Sequence, residues 1–278
     1  MRLTLAFSPC PNDTYIFDAM VHQRIDTEGL EFDVRLADVE QLNRMVISEI
    51  PDISKISYGL LARVLPSYRV LDAGGALGRG VGPLLVAAKE KHTSQDSLEK
   101  MTIALPGQHT TAHMLFSLAY PMARQKIFMP FHEIENAVLS GRVDAGVIIH
   151  ENRFTYAEKG LIKWEDLGSF WEQHTGQPIP LGGIVMRRDI PVDIMRKVDR
   201  VIRRSLEFAW AHDPELPAYV LEHAQEMDPK VMRQHISLYV NEFSLSLGSQ
   251  GRAAVWMMLE VAAMFTPEPA NNAVEIFL

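Results

Sequence analysis

Residues 81–88 read Val-Gly-Pro-Leu-Leu-Val-Ala-Ala, and a counterpart at 181–186 reads Leu-Gly-Gly-Ile-Val-Met. Both are uncharged apolar runs of strand length. The chain has 278 residues, nearly twice a typical domain of ~150, so its length favours two lobes or one large α/β unit. No low-complexity linker and no internal repeat divides it, so two lobes have to be joined by strands that cross between them. With crossings near 81–98 and 181–186, the expected division is a discontinuous lobe of residues 1–92 plus 184–278 and a continuous lobe of residues 98–180. A ligand site is expected in the cleft between them, beyond the carboxyl ends of the strands.

Further apolar runs at 3–7, 30–36, 53–57, 101–105 and 145–149 alternate with helical patterns, which predicts parallel βαβ units and an α/β fold. Asn12 or Asp13 is expected to cap a first helix reaching Gln23, and Asp38, with Gln41 three residues on, marks a second start of capping-box type. From 193 to 212 the apolar Ile194, Val198, Val201, Ile202, Leu206 and Ala209 recur at helical spacing among arginines and a lysine, the pattern of one long amphipathic helix. Helical patterns follow at 214–225, 229–239 and 251–265, with Asp213-Pro214 and Asp228-Pro229 as start signals. Met257, Met258 and Met264, with Trp256, read as core.

Hydrophobic residues make up 47% and charged residues 22% of the chain, which excludes a disordered, collagen-like or disulfide-stapled protein. Lys and Arg number 27 against 35 Asp and Glu, a net charge of −8, so no global positive field is available for a phosphate backbone and nucleic acid is not an expected partner. One cysteine, Cys10, cannot form an internal disulfide and fits a reducing compartment. The N-terminal run ends in a Pro/Asn/Asp turn without a cleavage-site pattern, so no signal peptide is expected and a cytoplasmic location is. The charge-free stretch 101–123 contains Pro106, Gly107, His109, His113 and Pro121 and is not expected to span a membrane.

Three strand-to-helix junctions aim polar groups at the expected cleft. The run at 53–57 ends in Ser54-Lys55-Ile56-Ser57, a cation and hydroxyls suited to an anionic ligand. Pro106-Gly107-Gln108-His109-Thr110-Thr111-Ala112 opens a helix, whose free N–H groups, positive dipole end and threonine hydroxyls can hold a carboxylate without a lysine. A plain threonine N-cap is the alternative reading. The run Val143-Asp144-Ala145-Gly146-Val147-Ile148-Ile149 ends in His150-Glu151-Asn152-Arg153. A desolvated imidazole there can serve as a general base, and the alternative is a structural histidine whose hydrogen bonds are satisfied.

Other patterns carry less chemistry. The glycine-rich 74–82 lacks the order of a dinucleotide or P-loop motif and reads as a hinge or close-approach loop. Cys10 has no predictable histidine partner and reads as packing or cleft wall. His109 and His113 lie four apart, as two metal ligands on one helix face would, but no third ligand follows at a telling spacing. No metal site is expected.

The stretches SPCPNDTYIF (8–17), VEQLNR (39–44), SKISY (54–58), GGALGRGVGPLL (74–85), PGQHTTA (106–112), IIHENRFTY (148–156) and LGGI (181–184) together resemble the 1,4-dihydroxy-6-naphthoate synthase family of menaquinone biosynthesis by the futalosine route. The resemblance runs nearly end to end. It implies a periplasmic-binding-protein-like fold of type II, two α/β lobes around a central cleft. It implies cleavage of cyclic dehypoxanthinyl futalosine, a small carboxylate, with no redox cofactor. It places the family's histidine base on His150 and its carboxylate-holding groups on Ser57, Thr111 and the Ala112 backbone, with Thr110 beside them and Asn43, Lys55, Ile56 and Ser57 lining the site. A chorismate dehydratase family of the same pathway has a similar start, but IIHENRFTY and PGQHTTA favour the synthase. A solute-binding protein holding a carboxylate without chemistry is the alternative from another class. A monomer or homodimer is expected from the enzyme class.

Overall fold

The computed structural model describes residues 1–89, 95–224, 228–264 and 275–278. Its strands are β1 (Arg2–Phe7), β2 (Glu31–Leu36), β3 (Ile53–Ser57), β4 (Tyr68–Val70), β5 (Ala76–Gly78), β6 (Leu84–Ala88), β7 (Ile103–Leu105), β8 (Lys126–Phe128), β9 (Ala145–Ile148), β10 (Leu161–Asp166) and β11 (Ile179–Arg187). The helices are α1 (Pro11–Val21), α2 (Val39–Ile47), α3 (Leu61–Val64), α4 (Thr111–Ala119), α5 (Phe131–Leu139), α6 (Asn152–Thr155), α7 (Leu167–Thr175), α8 (Val192–Ala211), α9 (Ala218–His223), α10 (Pro229–Tyr239), α11 (Glu242–Leu245) and α12 (Gly248–Ala263).

One sheet has the order β2-β1-β3-β11-β4, with β5 also paired to β11, and the other has the order β10-β6-β9-β7-β8. Both are mixed rather than purely parallel. β1 is parallel to β2 and β3, and β7 to β8 and β9, as helix crossovers require. β6 and β11 run antiparallel to every strand they pair with, because each arrives from the other sheet instead of over a helix on its own. Within 81–88 the strand begins only at Leu84, after Gly82 and Pro83. At 181–186 it is longer, and β11 lies wholly in the first sheet, so the chain's return precedes Leu181.

The two connecting segments are tied together. Arg79 Nη2 donates to the Gly176 carbonyl at 2.8 Å, and Arg153 Nη2 donates to the Gly80 carbonyl and to Asp166 Oδ2, each at 2.8 Å. A Cβ on Gly82 would sit 2.2 Å from Gly168 Cα. The glycine there is a close-approach residue between backbones.

α8 buries Met195, Val198, Val201, Ile202, Leu206 and Ala209 against the first sheet's core, with Met195 in place of Ile194 as the first inward position. Burying each large aliphatic side chain is worth about 1.5–3 kcal/mol. Ser205 Oγ donates to Ile16 O at 2.6 Å and accepts from Met20 N at 3.2 Å, fixing α8 on α1. Asp38 caps α2 by accepting from Glu40 N and Gln41 N, and Asp228 caps α10.

Three local expectations change. α1 starts at Pro11 with Cys10 as its N-cap residue, because Pro11 sets the first helical φ and the Cys10 carbonyl already accepts from Asp13 N and Thr14 N. Asn12 and Asp13 are freed for buried contacts described below. The helix expected from Asp213-Pro214 starts instead at Ala218, after Pro217. Met258 is core, but Trp256, on the outward face of α12 with Glu260, and Met264, just past its end, are 44% and 75% exposed. Residues 90–94 of the expected 81–98 crossing, and Gln225 and Phe265 at the ends of two helical patterns, lie outside the described residues.

Candidate active site

A cleft of about 710 Å³, open space at its mouth included, is lined by Ser8 after β1, Asn12 and Asp13 from the start of α1, Lys55, Ile56 and Ser57 from β3, Thr110, Thr111 and Ala112 from the start of α4, and His150 after β9. Each group stands at a strand's carboxyl end or a helix's amino end. That geometry exposes backbone N–H groups while β-sheet pairing holds their positions.

The β3 end is prepared by its neighbours. Lys55 Nζ lies 2.9 Å from Asp13 Oδ1 and donates to Gly74 O at 3.1 Å, with the lysine and aspartate side chains 8% and 2% exposed. Its charge is therefore neutralised within the protein, which corrects its reading as a cation free to meet an anionic ligand. Asp13 Oδ2 also accepts from Ser8 Oγ at 2.7 Å, and its Oδ1 accepts from Asn12 Nδ2 at 2.8 Å. Asn43 is fully buried and does not line the cleft. It stands behind Ser57, where its Oδ1 accepts from Ser57 N at 2.9 Å and its Nδ2 donates to Ser57 Oγ at 3.1 Å and to His109 O at 3.1 Å. Ser57 Oγ is thus held as an acceptor, and its proton is left to point into the cleft.

Thr110 is the plain cap: its Oγ1 accepts from His113 N at 3.2 Å and donates to Gly107 O at 2.9 Å. Thr111 Oγ1 donates to Leu181 O at 2.8 Å and accepts from Gly59 N at 3.0 Å, joining the two lobes. Both hydroxyl protons are already used. What the α4 start offers a carboxylate is the N–H groups of Thr111 and Ala112, which have no acceptor inside the helix. Glu40 steadies this loop from the other lobe: its Oε2 accepts from His109 N at 3.0 Å and its Oε1 lies 2.8 Å from His109 Nδ1. Gly107 is needed there, since its φ is +153° and a Cβ would come within 2.5 Å of Glu40 Oε2.

His150 ends β9 in the left-handed region, φ +57°, a conformation that costs a non-glycine residue about 1–3 kcal/mol. Its ring packs 4.7 Å from Phe131 and stacks at 21° on His235, 6.1 Å away. Nε2 is buried without a hydrogen-bond partner. Burial pushes its pKa down to about 4, partly offset by the negative charge of Asp13. The imidazole is therefore neutral at pH 7 and carries a lone pair ready for a proton.

The fold gives Cys10 the partners its sequence position did not suggest. Its sulfur, a ring nitrogen of His150 and a Glu151 carboxylate oxygen all lie within 4.8 Å of one another. His235, 1% exposed on α10, donates from Nε2 to Asn12 Oδ1 at 2.9 Å. His109 and His113 do not converge: the first faces Glu40 and the second faces Gln108 O at 2.8 Å. Ser8, Asn12, Asp13 and His235 are the residues that sequence reasoning missed. Ser8, Asn12 and Asp13 carried a signal, since 8–13 is a strand-to-helix junction like the other three. His235 carried none, being one position in an ordinary amphipathic helix.

Comparison with known proteins fits this geometry. A family model described as menaquinone biosynthesis matches residues 3–264. A 1,4-dihydroxy-6-naphthoate synthase of Thermus thermophilus is 43% identical over 270 residues, covering 96% of this chain and 97% of that protein. One of Streptomyces coelicolor is 45% identical over 267 residues, 94% and 93% of the two chains. The crystal structure of protein AF1704 from Archaeoglobus fulgidus superimposes with a TM-score of 0.88 at 34% identity, covering 95% of this chain and 97% of that one. A Candida albicans protein described as having the generic periplasmic binding protein fold superimposes with a TM-score of 0.69 at 13% identity, over 96% and 92% of the chains, a likeness of fold alone. The fold is thus periplasmic-binding-protein-like, two α/β lobes around a cleft, and the chain belongs to the menaquinone-biosynthesis family that its model match and its two synthase relatives define.

Proposed function

We propose that this chain is a 1,4-dihydroxy-6-naphthoate synthase that cleaves cyclic dehypoxanthinyl futalosine, with His150 as general base. The observation that carries the assignment of the base is the buried, unpartnered Nε2 of a neutral imidazole on the wall of the cleft that also holds the Ser57 hydroxyl and the α4 amino end. In this reading the substrate carboxylate takes the Ser57 hydroxyl and the N–H groups of Thr111 and Ala112. That anchoring sets the rest of the molecule against His150, which accepts a proton from it. Thr110 and Asn43 act one step back, capping the helix and orienting Ser57, and Ile56 supplies apolar wall. The hydrogen bond of Thr111 to Leu181 ties the lobes together beside this anchor. Relatives named as synthases at 43% and 45% identity support the substrate assignment. No described helix is long and apolar enough to cross a membrane, and the reading places the enzyme in the cytoplasm with a small molecule as its partner.

The test is incubation of wild-type and His150→Ala protein with cyclic dehypoxanthinyl futalosine, with product followed by mass spectrometry. Product from the wild type and at least about 100-fold less from the variant is expected. No product from the wild type overturns the activity, with chorismate turnover or carboxylate binding without turnover as the replacement readings. Equal product from both proteins keeps the activity and removes His150 from it.

A further inference from the structure

Behind His150 lies a cluster of buried polar side chains, Asn12, Asp13, Glu151 and His235. Asp13 Oδ1 accepts from Asn12 Nδ2, which turns the Asn12 carbonyl oxygen toward His235 and requires the N–H of that ring on Nε2. His235 Nδ1 is then a lone pair, buried, without a hydrogen-bond partner and 3.7 Å from Glu151 Oε2. Next to them lie a ring nitrogen of His150 and the sulfur of Cys10, 4% exposed. Burial and the charges of Glu151 and Asp13 push the Cys10 thiol up, so an ionised thiolate would be stabilised by a cation among these groups. Lys55 is committed to Asp13 and Gly74.

We propose that Cys10, His150 and Glu151 form a binding site for a zinc-class divalent cation, and that filling it closes the enzyme down. One sulfur, one imidazole nitrogen and one carboxylate oxygen within 4.8 Å of one another need only a small contraction to reach the spacing of three ligands on tetrahedral zinc, whose bonds are about 2.0–2.3 Å. A donor set of thiolate, imidazole and carboxylate selects zinc or cobalt over magnesium or calcium, which take oxygen alone. Binding releases the thiol proton to solvent and leaves a fourth position for water. His150 lines the cleft and gives the ion its entry. With its ring nitrogen on the metal, His150 has no lone pair for the substrate, so inhibition rests on the proposed role of His150, whereas binding does not.

Cobalt(II) is the probe, because thiolate-to-cobalt charge transfer absorbs in the near ultraviolet and Cys10 is the sole cysteine in the chain. Titration of EDTA-stripped full-length protein is expected to raise that band with one equivalent of cobalt and to lose it when zinc is added. Cys10→Ser is expected to abolish it, and Glu151→Gln and His150→Gln each to weaken cobalt binding by about tenfold or more. Absence of the band in the wild type, or unchanged affinity in both Glu151→Gln and His150→Gln, overturns the site. The last two variants keep the test decisive should Cys10→Ser not fold. Turnover is the separate readout: zinc is expected to inhibit the wild type and spare Cys10→Ser. Zinc binding with full turnover would refute the inhibition and count against His150 as the base, leaving the site itself standing.

Discussion

Lys55 Nζ and Asp13 Oδ1 meet at 2.9 Å in the interior of the first lobe, joining the end of β3 to the first turn of α1. The pair links two of the four junctions that build the cleft. Removing one partner leaves an uncompensated buried charge, so Lys55→Met is expected to cost about 3–5 kcal/mol in urea unfolding, and the double replacement Lys55→Met with Asp13→Asn to recover most of it. Equal losses in the single and double variants would show that the charges do not depend on one another.

The proposed role of His150 as base sets an expected pH dependence of kcat/KM. Its pKa is lowered to about 4 by burial, so the base form persists below the ordinary histidine value of 6.5. In EDTA-treated enzyme, kcat/KM is expected to hold from pH 7 through 5 and to fall as protonation sets in near pH 4. An acid limb centred near 6.5 would mean that the titrating base is a solvated histidine elsewhere.

Asn43 fills the acceptor side of Ser57, and the proposed role of Ser57 is to give its proton to the substrate carboxylate. Ser57→Ala removes one hydrogen bond to a charged group, worth about 1.5–3 kcal/mol. The expected result is KM raised about tenfold or more with kcat little changed, since the anchor is used equally before and during reaction. An unaltered KM would place the carboxylate elsewhere.

Gly107 holds a φ of +153° with Glu40 against its Cα. Gly107→Ala is expected to lower stability by about 1–3 kcal/mol through strain and to disturb the Glu40–His109 contact between the lobes. A variant with wild-type thermal unfolding and wild-type KM would show that this contact contributes to neither.

What could be read from the chain beforehand was local. A strand ending in His150, a helix opening at Thr110 and Thr111, and the apolar stripe of α8 each depend on neighbours within a few residues, where periodicity and capping rules operate. The pairing of Lys55 is not legible because its partner lies 42 positions away in α1, and an ion pair between junctions leaves no trace in spacing. The meeting of Cys10, Asn12, His150 and His235 is made by topology alone, across separations as large as 223 residues. The direction of β6 and β11 was hidden for the same reason, since a strand's sense depends on which sheet it came from.

The position of β11 orders assembly in time. It lies between β3 and β4 in the first sheet, yet it is translated after every described strand of the second, which fall between Leu84 and Asp166. During synthesis the second sheet has all its described strands while the first still has a gap, with β3 and β4 awaiting a shared neighbour. One lobe can therefore fold, in chain order, before the other, whose sheet is joined only when residues 179–187 are added.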